Sequence, residues 1–342
     1  MLAGPERIAA QKGLRPLEQA EAIGSLTLRQ SRSLEDPDAN WQILLGEEER
    51  TLIERIETSS LRLSDVTTRG RGDEMSASGA FWRCGSCNSL TVPGTKRKGG
   101  GFNEKRCPNC SARLAEDNIE VVHLVSPEKR EAFVHPYIDG EALDRRYQNP
   151  ARKYLRTDMN THPPLKDEAL YRGERILIRQ AGVGITATLV EDGSRVPQSV
   201  YLYWAAPNQP EQGYTNAYLL GVLSSRVMNY YHMKLTGEVD PARAFAKVTH
   251  DRLGALPVPR LDSSEKVDLA NKISSHVREM LAHPHYGGEA DWKIENLVRQ
   301  LWGITGDEGR YINGFFSLIP DGQARRDLFP DDPPSRVPYP AD

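Results

Sequence analysis

Two closely spaced cysteine pairs constrain the fold of this chain more than any other feature of its sequence. The first pair is Cys84 and Cys87, the second is Cys107 and Cys110, and 19 residues separate the two pairs. These four are the only cysteines in the sequence. Two C-x-x-C pairs at this separation are typical of a four-cysteine zinc ribbon, because two short turns can surround Zn²⁺ with four thiolates at about 2.3 Å.

Two disulfides, or four unrelated thiols, are the alternatives to zinc. Residues 1–7 lack the apolar segment that a secretion signal needs, and thiols in the cytosol stay reduced. We therefore predict a cytoplasmic protein whose four cysteines hold one structural Zn²⁺. A zinc ion with four protein ligands has no open coordination position, so the ribbon is not expected to be catalytic.

Length and charge set broad limits on the class of protein. The chain has 342 residues, of which 38% are hydrophobic, and this length suits one large domain or two to three small ones. No stretch approaches the ~18 consecutive apolar residues of a membrane-spanning helix, so no membrane segment is predicted. The net charge is −3, whereas a protein that binds nucleic acid tightly on its own is usually more basic.

The local distribution of charge differs from the sum. Six basic residues cluster in and around the loop between the cysteine pairs, namely Lys96, Arg97, Lys98, Lys105, Arg106 and Arg113. A run of charge in a loop usually keeps that loop solvated and soluble. The same residues could instead contact the phosphates of a nucleic acid.

The periodicity of apolar residues predicts both helices and strands, and therefore an α+β fold. A short strand from Leu61 is expected to run into a loop that carries Arg69 and Arg71. Thr305 and Glu308 form a capping box that opens a last helical turn or two. Further helices are predicted at residues 47–57, 215–231, 263–281 and 291–302, and further strands at residues 119–125, 176–180, 185–190, 200–204 and 253–259.

Enzymatic motifs are incomplete throughout the chain. Residues 182–187 match the glycine pattern of a dinucleotide-binding turn, but no helical period follows, so a bend between strands is the better interpretation. Asn149-Pro150 lacks the second proline and the aromatic residue of an adenine methyltransferase loop. No lysine has a glutamate two positions before it, as a common nuclease motif requires. His250-Asp251 has no second metal-binding pair and is interpreted as ordinary surface.

Several segments in order resemble a known family. They are Trp41-Gln-Ile-Leu, RGRGDEM at 69–75, AFVHPYIDGEAL at 132–143, ERILIRQAGVGITATLVED at 174–192, AYLLGVLSSRVMNYYH at 217–232, ARAFAKVTHDRLGALPVP at 242–259 and IENLVRQLWGITGDEG at 294–309. Their order and spacing resemble the TaqI-like C-terminal specificity domain, or target recognition domain, of N6-adenine DNA methyltransferases. Such domains also occur in restriction–modification and phage-defence systems. The resemblance extends from about Trp41 to Tyr311.

The resemblance implies a fold and a division of the chain. A mixed β-sheet target recognition domain is expected at 41–260, with the zinc ribbon inserted at 80–118 and C-terminal helices at 261–319. Residues 1–40 would be an N-terminal extension, and residues 320–342, which are rich in proline and acidic residues, a disordered tail.

The resemblance also implies a function. The expected protein is a non-catalytic specificity subunit that binds double-stranded DNA and directs a separate methyltransferase chain, which would bind S-adenosylmethionine. The alternative is an adaptor or inhibitor module of such a complex that does not read DNA itself. In the specificity-subunit hypothesis, the C-terminal apolar residues Trp292, Leu297, Leu301 and Trp302 could pack on the partner chain or form the core of this chain.

Candidate DNA contacts follow from the same hypothesis. Arginine pairs with guanine, and asparagine or glutamine with adenine, in the major groove. The residues predicted to reach the bases are Arg69, Arg71, Arg179, Gln180, Arg243 and Lys247. Lys96, Arg97 and Lys98 are predicted to contact phosphates. For each of these residues the alternative is a solvated charge or a local ion pair.

Overall fold

A mixture of short strands and helices makes up the described part of the chain. The computed structural model describes residues 8–9, 27–28, 46–76, 78–94, 103, 105–115, 119–143, 146–147, 150–182, 184–236, 248–283 and 287–317. The strands are β1 (Ile8–Ala9), β2 (Thr27–Leu28), β3 (Ser60–Arg62), β4 (Thr67–Arg71), β5 (Ala80–Cys84), β6 (Leu90–Thr91), β7 (Lys105–Arg106), β8 (Arg113–Leu114), β9 (Ile119–His123), β10 (Val125–Ser126), β11 (His135–Tyr137), β12 (Lys153–Leu155), β13 (Thr161–His162), β14 (Arg175–Arg179), β15 (Ala187–Val190), β16 (Val200–Ala205) and β17 (Pro257–Pro259).

The helices complete an α+β fold, as the sequence predicted. They are α1 (Glu47–Thr58), α2 (Leu63–Val66), α3 (Asn216–Leu223), α4 (Arg226–Thr236), α5 (His250–Gly254), α6 (Ser264–Ala282), α7 (Gly287–Trp302) and α8 (Gly306–Ser317). None of these helices has the length and apolar character needed to cross a bilayer. The tail at 320–342 lies outside the described residues.

A four-stranded antiparallel sheet lies at the centre, with the strand order β15-β14-β16-β4. Ile178 pairs with Tyr201, which pairs with Arg71, so these positions share one face. The apolar members of this face pack on the main helical core. Leu177 and Leu202 point to the opposite face and join a second apolar cluster. Strands β14 and β16 are apolar at successive positions because both of their faces are buried.

The glycine-rich bend at residues 182–187 leads into a strand. Strand β15 returns antiparallel to β14, and Ile178 pairs with Ala187. The NH of Ile185 donates to the side-chain oxygen of Asn229 at 2.8 Å. No helix N-terminus follows the glycines, so the dinucleotide-binding interpretation is excluded here and the bend is confirmed.

The helix predicted at 215–231 is two helices, α3 and α4. The Ser225 hydroxyl accepts the NH of Met228 at 3.1 Å and so caps the start of α4. The Glu295 carboxylate accepts the NH of Arg226 at 2.6 Å, and the Arg146 guanidinium donates to the Ser224 carbonyl. Because these partners come from distant parts of the chain, the break could not be predicted from local periodicity.

The C-terminal helices pack into the same core as the central sheet. Helices α6 and α7 are confirmed, although α7 begins at Gly287 rather than at 291. The capping box is confirmed, because the Glu308 carboxylate accepts the NH of Thr305 at 2.9 Å and the Thr305 hydroxyl accepts the NH of Glu308 at 3.3 Å. Trp292, Leu301 and Trp302 are buried within the chain, and Leu297 packs partly buried against the main core, so the alternative that they face a partner is wrong.

A buried ion pair joins the central sheet to the part of the chain that follows β4. The Asp73 carboxylate accepts two bonds of 3.0 Å from the Arg195 guanidinium and a third, of 2.6 Å, from the NH of Lys166. Both charged side chains are almost fully buried. A Cβ on Gly72 would lie 2.2 Å from the Val196 carbonyl oxygen, so only glycine allows this close approach.

Candidate functional site

The two cysteine turns have the same backbone geometry. In the first, the NH of Asn88 donates to the Cys84 carbonyl at 2.8 Å, and the NH of Cys84 donates to the Ser89 carbonyl at 3.0 Å. In the second, the NH of Ser111 donates to the Cys107 carbonyl at 2.9 Å. Asn88 and Ser111 both have a positive φ, of 58° and 61°. Each turn therefore directs its two thiols to the same side.

The four sulfurs converge on one point. All four Sγ atoms lie within 4.8 Å of one another. Cys84 and Cys110 are 3.6 Å apart at sulfur, as are Cys87 and Cys107. A zinc tetrahedron with bonds of about 2.3 Å has its sulfurs ~3.8 Å apart, whereas a disulfide needs about 2.05 Å. The four cysteines are free thiols, and their arrangement fits zinc rather than two disulfides.

The electrostatics of the cluster also fit a cation. Hydrogen bonds from Ser89, whose hydroxyl lies 3.1 Å from the sulfur, lower the pKa of Cys87 to about 5. The NH of Ala112 lowers the pKa of Cys110, but the neighbouring thiols outweigh it and raise that pKa to about 12. Four sulfurs this close cannot all carry a negative charge unless a cation compensates. A Zn²⁺ ion would stabilise all four thiolates.

The predicted DNA-contacting arginines of the RGRGDEM segment lie on a strand, not in a loop. Arg69 and Arg71 belong to β4, where they pair with Tyr203 and Tyr201 of β16. The loop prediction was wrong because two glycines and two arginines have little intrinsic strand preference, and pairing with β16 overrides that preference. The two arginines share one face of the sheet, and both are exposed.

Arg69 is held by helix α5. Its Nη1 donates to the His250 carbonyl at 2.8 Å, and its Nη2 lies 3.4 Å from a carboxylate oxygen of Asp251. The Arg69 side chain keeps 43% of its surface exposed. Arg71 donates from Nε and Nη2 to the backbone and side-chain oxygens of Gln198, at 3.2 and 3.1 Å. Both guanidinium groups are thus oriented while they remain open to solvent.

The other predicted base contacts divide between the two faces of the sheet. The Gln180 side-chain amide donates at 2.6 Å to the hydroxyl of Tyr201, the residue that pairs with Arg71. Arg179 pairs with Val200, on the face opposite to Ile178. The structure therefore places Gln180 on the face that carries the β4 arginines, with β16 between them, and Arg179 on the opposite face.

His250 is a member of this cluster that sequence reasoning treated as ordinary surface. Its ring centroid lies 3.9 Å from that of Tyr201, and its Nδ1 lies 3.2 Å from the Tyr203 hydroxyl. Burial lowers the pKa of His250, and the positive charges of Arg69 and Arg71 lower it further. The imidazole is therefore neutral at pH 7. The adjacent His250-Asp251 pair was the available signal, but sequence alone could not place it beside β4.

The remaining predicted contacts lie outside the described residues: Lys96, Arg97, Lys98, Arg243 and Lys247. Two other basic residues near the cysteines bind the chain itself. Lys105 donates to the Val92 carbonyl at 2.9 Å, and Arg106 donates to the Ser111 carbonyl at 3.1 Å. Part of the basic cluster therefore makes local contacts within the chain.

Comparison with known families identifies one segment. Residues 135–258 match the family model of the TaqI-like C-terminal specificity domain. The match runs from β11 to β17 and includes three strands of the central sheet, and it confirms over these residues the resemblance that the sequence motifs indicated. The wider resemblance, from Trp41 to Tyr311, stays a prediction. A comparison with curated proteins gave no match.

Solved structures show distant similarity. The type IIG restriction endonuclease BpuSI is 11% identical with a TM-score of 0.35, and the similarity covers 81% of this chain and 35% of that one. The Type IIL restriction-modification enzyme MmeI, solved in complex with DNA, is 11% identical with a TM-score of 0.32, over 59% of this chain and 30% of that one. The HsdS subunit from Thermoanaerobacter tengcongensis is 12% identical with a TM-score of 0.29, over 80% and 54%. This chain spans between 30% and 54% of the length of these proteins.

Proposed function

We propose that this chain recognises a short sequence in double-stranded DNA and directs a separate N6-adenine methyltransferase chain to it. The observation that carries the proposal is the match of residues 135–258 to a specificity domain. The pair of oriented, exposed arginines on β4, which completes the sheet of that segment, supports it.

The chemistry of the β4 face suits base recognition. A guanidinium group can donate two parallel hydrogen bonds to O6 and N7 of guanine, and such a pair gives about 1–3 kcal/mol of discrimination. Arg69 and Arg71 occupy alternate positions of one strand and so lie roughly 7 Å apart along it. Long side chains that project from an edge strand can reach the base edges in the major groove. Arg243 and Lys247 are proposed as further base contacts.

The charge of the chain suits a subunit that works with a partner. With a net charge of −3, the chain can offer a few phosphate contacts, and we assign Lys96, Arg97 and Lys98 to this role. Each phosphate contact contributes about 0.9 to the dependence of log affinity on log salt. A second chain would supply further DNA contacts and would pay a few kcal/mol to flip the target adenine out of the duplex.

In this proposal the chain is not the catalyst. The Asp291 and Lys293 positions have the spacing of a nuclease motif, but the two side chains have other partners. The Asp291 carboxylate binds the guanidinium groups of Arg146 and Arg226 at 3.2 Å, and Lys293 pairs with Glu289 at 2.9 Å. The zinc ribbon would stabilise its own turns and carry basic residues to the DNA, with Cys84, Cys87, Cys107 and Cys110 as the ligands.

A genome-wide map of adenine methylation tests the proposal. Cells would carry a candidate partner methyltransferase with the intact chain, with an Arg69→Ala/Arg71→Ala variant, or without the chain. An Arg278→Ala variant is the matched control, because Arg278 is an exposed arginine of α6 that pairs with Glu174 at 2.8 Å. A defined motif should gain methylation with the intact chain and the control only.

The outcomes separate the two functional hypotheses. If the motif appears equally with the β4 variant, these arginines do not read DNA. If the chain binds the methyltransferase but leaves the methylation map unchanged, the adaptor or inhibitor hypothesis replaces the proposed function.

A further inference from the structure

Helix α5 contacts the Arg69 guanidinium in three ways. The His250 carbonyl accepts from Nη1 at 2.8 Å, and the Asp251 carboxylate lies 3.4 Å from Nη2. A Cβ on Gly254 would lie 3.2 Å from Nη1, which is closer than an ordinary van der Waals contact. The absence of a side chain at Gly254 thus leaves space for the guanidinium. These three features come from one turn of helix and act on one side chain.

The ion pair is too exposed to serve stability. The Asp251 side chain is 93% exposed and the Arg69 side chain 43% exposed, and pairs of this kind contribute little to the free energy of folding. Asp251 also places a negative charge beside a surface proposed to face DNA, where it opposes binding to phosphates. Orientation of Arg69 accounts for an acidic residue at this position, whereas a contribution to stability does not.

The contacts leave the guanidinium able to bind a base. Arginine has five N–H donors in a planar fork, and the two bonds to α5 use only part of them. A fork fixed in advance loses less conformational entropy when it binds than a mobile one. Guanine offers O6 and N7 as paired acceptors in the major groove, and a fixed fork matches them.

We infer that Asp251 is a positioning residue that, with the His250 carbonyl, orients Arg69 towards O6 and N7 of one guanine in the target site. This inference rests on the proposed function of reading DNA. It adds the class of base and the residue that fixes the geometry. Asp251 itself does not contact the guanine.

The role of Asp251 predicts two effects of opposite sign. Asp251→Asn removes the charge and weakens the hold on Arg69, so discrimination between guanine and adenine at one base pair should fall roughly fivefold. The same variant removes a repulsive charge, so affinity for unrelated duplex DNA should rise, most at low salt. A residue that served only the fold would produce neither this pair of effects nor their restriction to one position.

The experiment measures dissociation constants for the zinc-loaded full chain. The first probe is the duplex that the chain prefers when it selects from randomised sequences. The others are the same duplex with each G·C pair replaced in turn by A·T, and an unrelated duplex. The variants are Asp251→Asn and Arg69→Lys, which keeps the charge of the arginine but not its fork. Asp262→Asn is the matched control, because Asp262 is also an exposed acid and pairs with Lys266 at 2.9 Å.

Asp251→Asn and Arg69→Lys should lose discrimination at the same base pair, and the control should keep it. The inference is overturned if Asp251→Asn keeps full discrimination at the pair that depends on Arg69, or if it weakens binding equally on every duplex. A wild-type chain that discriminates between no duplexes would overturn the proposed function as well. That result differs from the first two, which need a discriminating wild type.

Discussion

The buried side chain of His232 makes the stability of this protein depend on pH. Burial, followed by the positive charge of Arg252, lowers the pKa of His232 to about 4 from its ordinary value of 6.5. Between these two pH values the unfolded chain binds a proton at this position and the folded chain does not. The free energy of unfolding therefore decreases as the pH falls from 6.5 to 4, by about 3 kcal/mol for this one group.

A His232→Gln variant tests this pH dependence. The difference in free energy of unfolding between wild type and variant should be constant above pH 6.5. It should move by about 3 kcal/mol in favour of the variant as the pH falls to 4. Urea denaturation at a series of pH values measures it, and both proteins keep the cysteine cluster, so loss of metal cancels. Parallel pH profiles for the two proteins would contradict the assignment.

The stability of the fold should also depend on the buried Asp73–Arg195 ion pair. Arg195→Met leaves the Asp73 carboxylate buried without its cation, and such a change costs about 3–5 kcal/mol. The double variant Asp73→Asn/Arg195→Met removes the uncompensated charge and should recover part of that loss. Urea denaturation of the three proteins measures both effects. A single variant within ~1 kcal/mol of wild type would show that the pair is not structurally important.

At the scale of elements, the sequence was informative where structure is local. Helix α6 could be predicted from its apolar period and Ser263 cap, and strands β14 and β16 from their apolar runs. The break between α3 and α4 could not, because its cause is a set of contacts from Arg146 and Glu295. Strand β4 could not either, because β16 creates it by pairing.

In the candidate site, too, the features that depend on local sequence could be predicted and those that depend on distant contacts could not. The cysteine cluster could be predicted because two short turns and four residues of one type define it. Arg69 and Arg71 were named because arginine pairs with guanine, but they were expected in a loop, and their contact with DNA stays a prediction. The contribution of His250 and Asp251 depends on how α5 packs beside β4, and no local pattern contains that information.

Two helical glycines should respond in opposite ways to alanine. A Cβ on Gly221 in α3 would lie 2.4 Å from the Ile273 side chain in α6, so Gly221→Ala should destabilise the protein by about 1–3 kcal/mol. A Cβ on Gly314 in α8 would meet nothing within 4 Å, and Gly314→Ala should stabilise by about 0.5–1 kcal/mol. Thermal unfolding compares the two, and shifts of the same sign would contradict the packing of α3 against α6.

The cysteine cluster should bind one zinc ion per chain. Elemental analysis of the purified protein measures this ratio, and Cys107→Ser should remove the metal because three thiolates are left. The ribbon should then become sensitive to limited proteolysis. The main core should stay protected, because Trp82, Cys84 and Cys107 pack in a separate cluster. Ser86→Ala, in an exposed turn position, should keep the metal. Equal zinc content in all three proteins would rule out the site.

At the scale of the whole molecule, the chain assembles one surface from distant segments. Residues 135–258, which match the specificity-domain family, supply β14, β15, β16 and α5. Strand β4 lies outside this segment and forms the edge of the sheet. Strand β3 pairs with β17 at the end of that segment, and the Asp73–Arg195 pair ties the two parts together. The arginines proposed to read DNA are therefore contributed by one part and oriented by the other.

Selection from a library of randomised duplexes by the zinc-loaded full chain at low salt tests whether the surface around β4 reads a DNA sequence. The wild-type chain should enrich a motif that contains guanine. An Arg69→Ala/Arg71→Ala variant should lose the preference for guanine, whereas Arg278→Ala should keep it. A wild-type chain that enriches no motif, or a double variant that enriches the same motif as wild type, would show that this surface does not read DNA.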